Sequence, residues 1–177
     1  METMMTPEST PDPAEVLGDE TRGAVDACEV GGAVAPGPED TASIPGVVDA
    51  RPEIAGEHAS RLAFTPAAIE LIERLWAMHG PLMFHQSGGC CDGSAPMCYQ
   101  EGEFKTGGQD LKLGTLELPP SAGENAPREI GFWMSREQFA VWAHTHLTID
   151  AVPGRGSGFS LEAPEGKRFL IRSRLIS

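Results

Sequence analysis

From residue 64 onward, apolar positions recur with two periods. Ile69, Ile72, Leu75 and Trp76 return every three to four residues, which predicts a helix with one buried face. Thr65 is a suitable N-cap, Pro66 fits the first helical position, and Gly80-Pro81 ends the run. The next run, Leu82–Gln86, reads as a short strand, and Tyr99–Phe104 as a second. Leu111, Leu113 and Thr115 alternate with Lys112 and Gly114, and Ile130, Phe132 and Met134 alternate again, so both stretches read as strands with one buried face. Pro119–Pro127, with three prolines, is expected to be an exposed loop.

Ser135 and Gln138 form a Ser-x-x-Gln capping box, opening a second helix that should end near His144–His146. Leu147–Val152, Phe159–Glu162 and Arg168–Ile176 complete the strands, with a tight glycine-rich turn at Pro153–Gly158. In the last strand Phe169, Ile171 and Leu175 face one way, and Arg168, Arg172 and Arg174 the other. No internal repeat and no βαβ alternation is visible. The expectation is an α+β domain with a small mixed or antiparallel sheet and two helices.

Charge divides the chain. Residues 1–60 hold 13 Asp/Glu against two arginines, a formal charge of −11, with seven prolines and no Phe, Trp or Tyr. Such a segment buries too little apolar surface to offset its ordering entropy. It reads as a disordered acidic tail, followed by one domain over 61–177. The remainder is nearly balanced, with 13 acids and 11 bases, and carries all 11 aromatics. Met1–Pro11 has neither a basic nor an apolar targeting region, and no stretch is apolar enough to span a bilayer, so a cytoplasmic protein is expected. The acidic balance and the lack of a basic stripe argue against nucleic-acid binding.

Chemistry concentrates in Ser87-Gly88-Gly89-Cys90-Cys91-Asp92-Gly93-Ser94-Ala95-Pro96-Met97-Cys98. Three thiols in a glycine-rich loop of a reducing compartment favour metal or redox chemistry. Adjacent cysteines diverge, so two of Cys90, Cys91 and Cys98 plus an imidazole from His85 or His144 form the candidate ligand set. Zinc, iron or an iron–sulfur cluster suits such donors. His146 stands two residues from His144 and shares a helix face with it only if the helix has ended. The plainer alternatives are buried cysteines acting as small apolar residues and a strand histidine bonded to its neighbours. A serine-hydrolase elbow, a dinucleotide fingerprint and a Walker loop are all missing.

Several stretches together resemble a known family: Gly80–Gln86 running on to Cys98-Tyr99, Phe132–Ser135, His144–Asp150 and Val152–Glu162. It consists of small bacterial proteins without an assigned activity, often encoded beside aldehyde or alcohol dehydrogenase genes. The resemblance implies an aldehyde or alcohol dehydrogenase as partner. A label of acetaldehyde dehydrogenase, used for some members, needs cofactor and catalytic domains for which this chain has no room. Ser87-Gly88-Gly89-Cys90 and Gly158-Phe159-Ser160-Leu161 also resemble, more weakly, the HesB/IscA-like A-type iron–sulfur carriers, implying a HesB-like fold. The carriers' C-terminal Cys-Gly-Cys has no counterpart, because no cysteine follows Cys98.

Three functions therefore compete. The leading expectation is a metal-binding or iron–sulfur-type accessory protein serving aldehyde or alcohol oxidation. The second is a small enzyme with Cys90 or Cys91 as nucleophile toward an aldehyde and a histidine as base. The third is a protein-interaction domain whose cysteines are structural.

Overall fold

A computed structural model of the protein describes residues 44–89, 93–156 and 158–176. Its elements run β1 (Val48–Asp49), β2 (Arg51–Pro52), β3 (Leu62–Phe64), α1 (Pro66–His79), β4 (Leu82–Gln86), β5 (Met97–Gln100), β6 (Asp110–Leu118), β7 (Arg128–Ser135), α2 (Arg136–Trp142), β8 (Thr145–Pro153) and β9 (Lys167–Leu175). They form two mixed sheets, ordered β1-β3-β8-β9 and β2-β6-β7-β4-β5. In the first, β3 and β8 are parallel; in the second, β4 and β7 are parallel; every other pairing is antiparallel. The expected α+β class with two helices and a mixed sheet is what the chain adopts.

The two sheets share one core. Phe84 of β4 stands at its centre, 4.9 Å from Phe169 edge-on, 6.0 Å from Phe132 and 6.1 Å from Phe64. Phe64 and Phe169 come from the first sheet and Phe132 from the second, so one buried ring touches both layers. Helix α1 adds Ala68, Leu71, Ile72 and Leu75. Its caps are those expected: the Thr65 side chain accepts from the Ala68 N–H at 3.2 Å, and Gly80, at φ 77°, donates its N–H to the Trp76 carbonyl. The Thr65 hydroxyl also donates to Asp150 at 2.6 Å, and Asp150 pairs with buried Arg172 at 2.7 Å.

Five expectations change. The sheets begin inside the stretch read as tail, with β1 and β2 at residues 48–52. No aromatic is needed there, because backbone pairing and buried Ala50, whose N–H donates to the Leu62 carbonyl, hold the segment. Gly114 of β6 admits the segment that passes from one sheet to the other: a Cβ there would meet the Arg51 carbonyl at 3.1 Å and the Ala50 Cβ at 3.2 Å. The chain enters α1 from a strand, β3, which three residues are too few to reveal by periodicity. Phe159–Glu162 is not a strand but part of a turn leading to a short 3-10 helix at Ala163–Glu165; Phe159 is 89 % exposed. Helix α2 stops at Trp142, so His146 lies on β8. In β9 the arginine-bearing face is buried at Leu170 and Arg172, whereas Leu175 is exposed.

Candidate functional site

The stretch from β4 to α2 builds the site. Strand alternation sends Phe84 into the core and His85 to the other face of the second sheet. His85 is buried there, with Phe104 packed on its ring at a centroid distance of 4.1 Å. Its Nε2 lies 3.0 Å from Asp110 Oδ1 at the start of β6, and its Nδ1 lies 2.7 Å from Ser87 Oγ. Asp110 Oδ2 accepts from the Gly107 N–H at 2.7 Å. The His85 contact first, and the Gly107 N–H second, hold the Asp110 carboxyl below its ordinary range. Asp110 is therefore ionised at neutral pH and can only accept. That puts the His85 proton on Nε2 and leaves the Nδ1 lone pair facing the Ser87 hydroxyl. Ser87 is exposed. The result is a carboxylate–imidazole–hydroxyl chain running from a buried strand to the surface.

The turn after Ser87 is pinned from two sides. The Gly89 carbonyl accepts from Trp142 Nε1 at 3.3 Å and from the Gln138 side-chain amide, both on α2. The Gln86 side chain donates to the Gly88 carbonyl. Gly89 sits at φ 94°, and a Cβ there would lie 2.8 Å from Ser94 Cβ and nearer still to its Oγ. Only glycine fits without a shift. Further along, Gly93 donates its N–H to the Ile171 carbonyl and Ile171 returns its N–H to the Ser94 carbonyl, tying this end of the loop to β9. Half of the expected capping box forms: Ser135 accepts from the Gln138 N–H, but the Gln138 side chain turns to Gly89 instead.

Of the five expected metal ligands, Cys90 and Cys91 lie outside the described residues, as do Asp92 and Ser157. The other three are not brought together. Cys98 pairs with Phe84 across β4 and β5, so it shares the core face, opposite His85. Burial, with Glu162 nearby, pushes its thiol well above the ordinary value, and it is a neutral apolar residue. Both nitrogens of His85 already have partners. His144 is exposed beyond α2. Among the described residues no three His, Cys, Asp or Glu side chains converge as metal ligands would. His85, Cys98 and His144 thus do not fit a common metal or cluster.

A recess of about 200 Å³ lies on the same face of the second sheet as His85. Met83, Phe104 and Trp133 line it, with Lys112 over the Trp133 ring at 5.8 Å. Sequence reasoning missed Asp110, which pairs with Ser135 two strands away from His85. It placed Ser87 at the head of the loop but set serine chemistry aside for want of a Gly-x-Ser-x-Gly elbow; the signal it did not weigh is the spacing of two between His85 and Ser87 at a strand end.

Fold and site together define an α+β protein of two mixed sheets that presents a His85-centred polar chain at the mouth of a glycine-rich loop. Residues 71–175 match the family described as a domain of unknown function, DUF779, and the chain belongs to that family. No curated protein and no solved structure matches the chain. Among the described residues no helix is long and apolar enough to cross a membrane.

Proposed function

We propose that the protein is a small hydrolytic enzyme acting on a carboxylic ester, with Ser87 as nucleophile, His85 as general base and Asp110 as its orienting partner. The observation that carries this reading is His85 bridging Asp110 and Ser87 at 3.0 and 2.7 Å. Ser87 Oγ attacks the carbonyl carbon while its proton passes to His85 Nδ1. The ester oxygen leaves with that proton, and water releases the acid by the reverse sequence. The N–H groups of Gly88 and Gly89 have no acceptor among the described residues and are the nearest donors for the developing oxyanion. The recess beside Phe104, with Met83 and Trp133 among charged Glu101, Lys112 and Glu129, is the space on this face for the rest of the substrate. The resemblance to proteins encoded beside aldehyde and alcohol dehydrogenases supports such a dehydrogenase as partner and a substrate from the same carbonyl chemistry.

The test uses p-nitrophenyl acetate turnover, with labelling by a fluorophosphonate located by peptide mass spectrometry. The expected result is turnover and a label on Ser87, both lost in Ser87→Ala and His85→Gln and kept in Cys90→Ser/Cys91→Ser. Turnover lost only in the cysteine variant would move the nucleophile to the thiols. No turnover, together with stoichiometric zinc or iron that the cysteine variant loses, would replace the reading with the metal-binding accessory protein.

A further inference from the structure

A second cavity, with charged and apolar walls, lies away from Ser87 at the end of the first sheet. It measures about 290 Å³ and is walled by Glu57, His58, Arg61, His146, Arg174 and Ile176, with Ala59 and Ser60 completing it. His146 and Arg174 stand directly opposite each other on β8 and β9. Arg61 is held on three sides: its fork engages Glu57, its Nη1 donates to the Ala143 carbonyl at 2.6 Å, and its guanidinium sits 5.3 Å from the Phe139 ring centre. Glu57 therefore neutralises Arg61. Arg174 has no ion-pair partner among the described residues, so the wall keeps one uncompensated cation.

His146 is 93 % buried, being 7 % exposed, and its Nδ1 has no hydrogen-bond partner. Burial first, then Arg174, lowers its pKa, with Asp49 opposing and Arg61 adding, so the ring is neutral at neutral pH. A buried lone pair without a partner is tolerated better than a buried N–H without one. The proton accordingly belongs on Nε2, leaving that edge to donate at the cavity wall. Ala59 and Ile176 add apolar surface to the same wall.

We propose that this cavity binds a small organic monocarboxylate, its carboxylate on Arg174 and His146 and its alkyl chain against Ala59 and Ile176. The Arg174 guanidinium, unpaired among the described residues, offers a carboxylate parallel, charge-assisted donors. The apolar wall separates this ligand from inorganic phosphate, which would leave it uncovered.

Isothermal titration of the full chain with butyrate at pH 7 tests the assignment, with phosphate and butylamine as parallel probes. The expected result is saturable one-to-one butyrate binding. Arg174→Gln should weaken it about tenfold, the loss typical of a hydrogen bond to a charged group. His146→Phe should weaken it several-fold, and Ser87→Ala should leave it unchanged. Arg174 is exposed, so its variant should keep the parent's melting temperature, which the same samples report. Butyrate binding that does not saturate, or that Arg174→Gln leaves intact, would overturn the proposal. Phosphate binding as tight as butyrate, or butylamine binding at all, would overturn the ligand class.

Discussion

Replacing Asp110 by asparagine tests the polar chain at the partner of its buried histidine. The carboxylate accepts twice, from His85 Nε2 and from the Gly107 N–H. Asparagine has one oxygen and must turn its NH₂ toward one of those donors. If the oxygen stays on Gly107, His85 must accept at Nε2 and carry its proton on Nδ1. It then donates to Ser87 and can no longer remove its proton. If the oxygen turns to His85, the Gly107 N–H loses its acceptor. Either way one charge-assisted bond goes, at side chains 4 % and 16 % exposed. Such bonds contribute about 1.5–3 kcal/mol, and the partial exposure of Asp110 favours the lower end.

Esterase activity should fall more, by about two to four orders of magnitude, the usual contribution of a positioned base. Urea denaturation followed by tryptophan fluorescence gives the stability, ester turnover the activity, and ¹⁵N chemical shifts the His85 tautomer. The pH dependence has a defined sign. Because the folded pKa of Asp110 is lowered, its contribution is complete above the unfolded value of about 3.9 and is lost as pH falls through the folded value. The stability gap between parent and variant should therefore close in acid. A variant with the parental tautomer and full turnover would refute the reasoning, as would a gap that persists in strong acid.

Other substitutions probe the frame around this chain. Gly89→Ala should destabilise by about 1–2 kcal/mol from the left-handed backbone alone, with the Ser94 contact adding to it; thermal melts decide, and an unchanged melting temperature would mean the turn is not held as described. Phe84→Ala should cost about 3–5 kcal/mol, since its ring meets both sheets; a loss below about 1 kcal/mol in urea titration would deny the shared core. Cys98 should resist iodoacetamide at pH 8 in the native protein and react once unfolded; native labelling at Cys98, seen by peptide mass spectrometry, would contradict its burial.

The local parts of the fold were legible in the sequence, and the long-range parts were not. Thr65, Pro66 and Gly80 mark the ends of α1 because caps act within one turn. The alternations at Leu111–Thr115 and Ile130–Met134 lie within β6 and β7, although the strands extend further at both ends. Short strands leave no periodic trace, so β1, β2 and β3 stayed hidden. The burial of Arg172 depends on Asp150 across β8, a pairing that no spacing reveals. At the site, the glycine loop drew notice to its cysteines. What organises the described part is a histidine on the preceding strand and an aspartate 25 residues from it.

The two sheets also differ in where along the chain they come from. Apart from Arg51–Pro52, the second sheet is drawn from residues 82–135, one continuous stretch. The first sheet joins residues 48–64 to residues 145–175, and its parallel β3–β8 pair unites positions 85 apart, such as Leu62 and Leu147. Distant pairings of this kind are slow to form, because a long loop must close before any contact rewards it. During synthesis the strands carrying His85 and Asp110 emerge well before their closing partner β9. The first sheet is thus a clasp made from distant parts of the chain, closed around a segment whose strands pair among themselves. Damage to β9 should therefore reach the N-terminal strands through β8, and the loop after Ser87 through the pairing of Ile171 with Gly93 and Ser94.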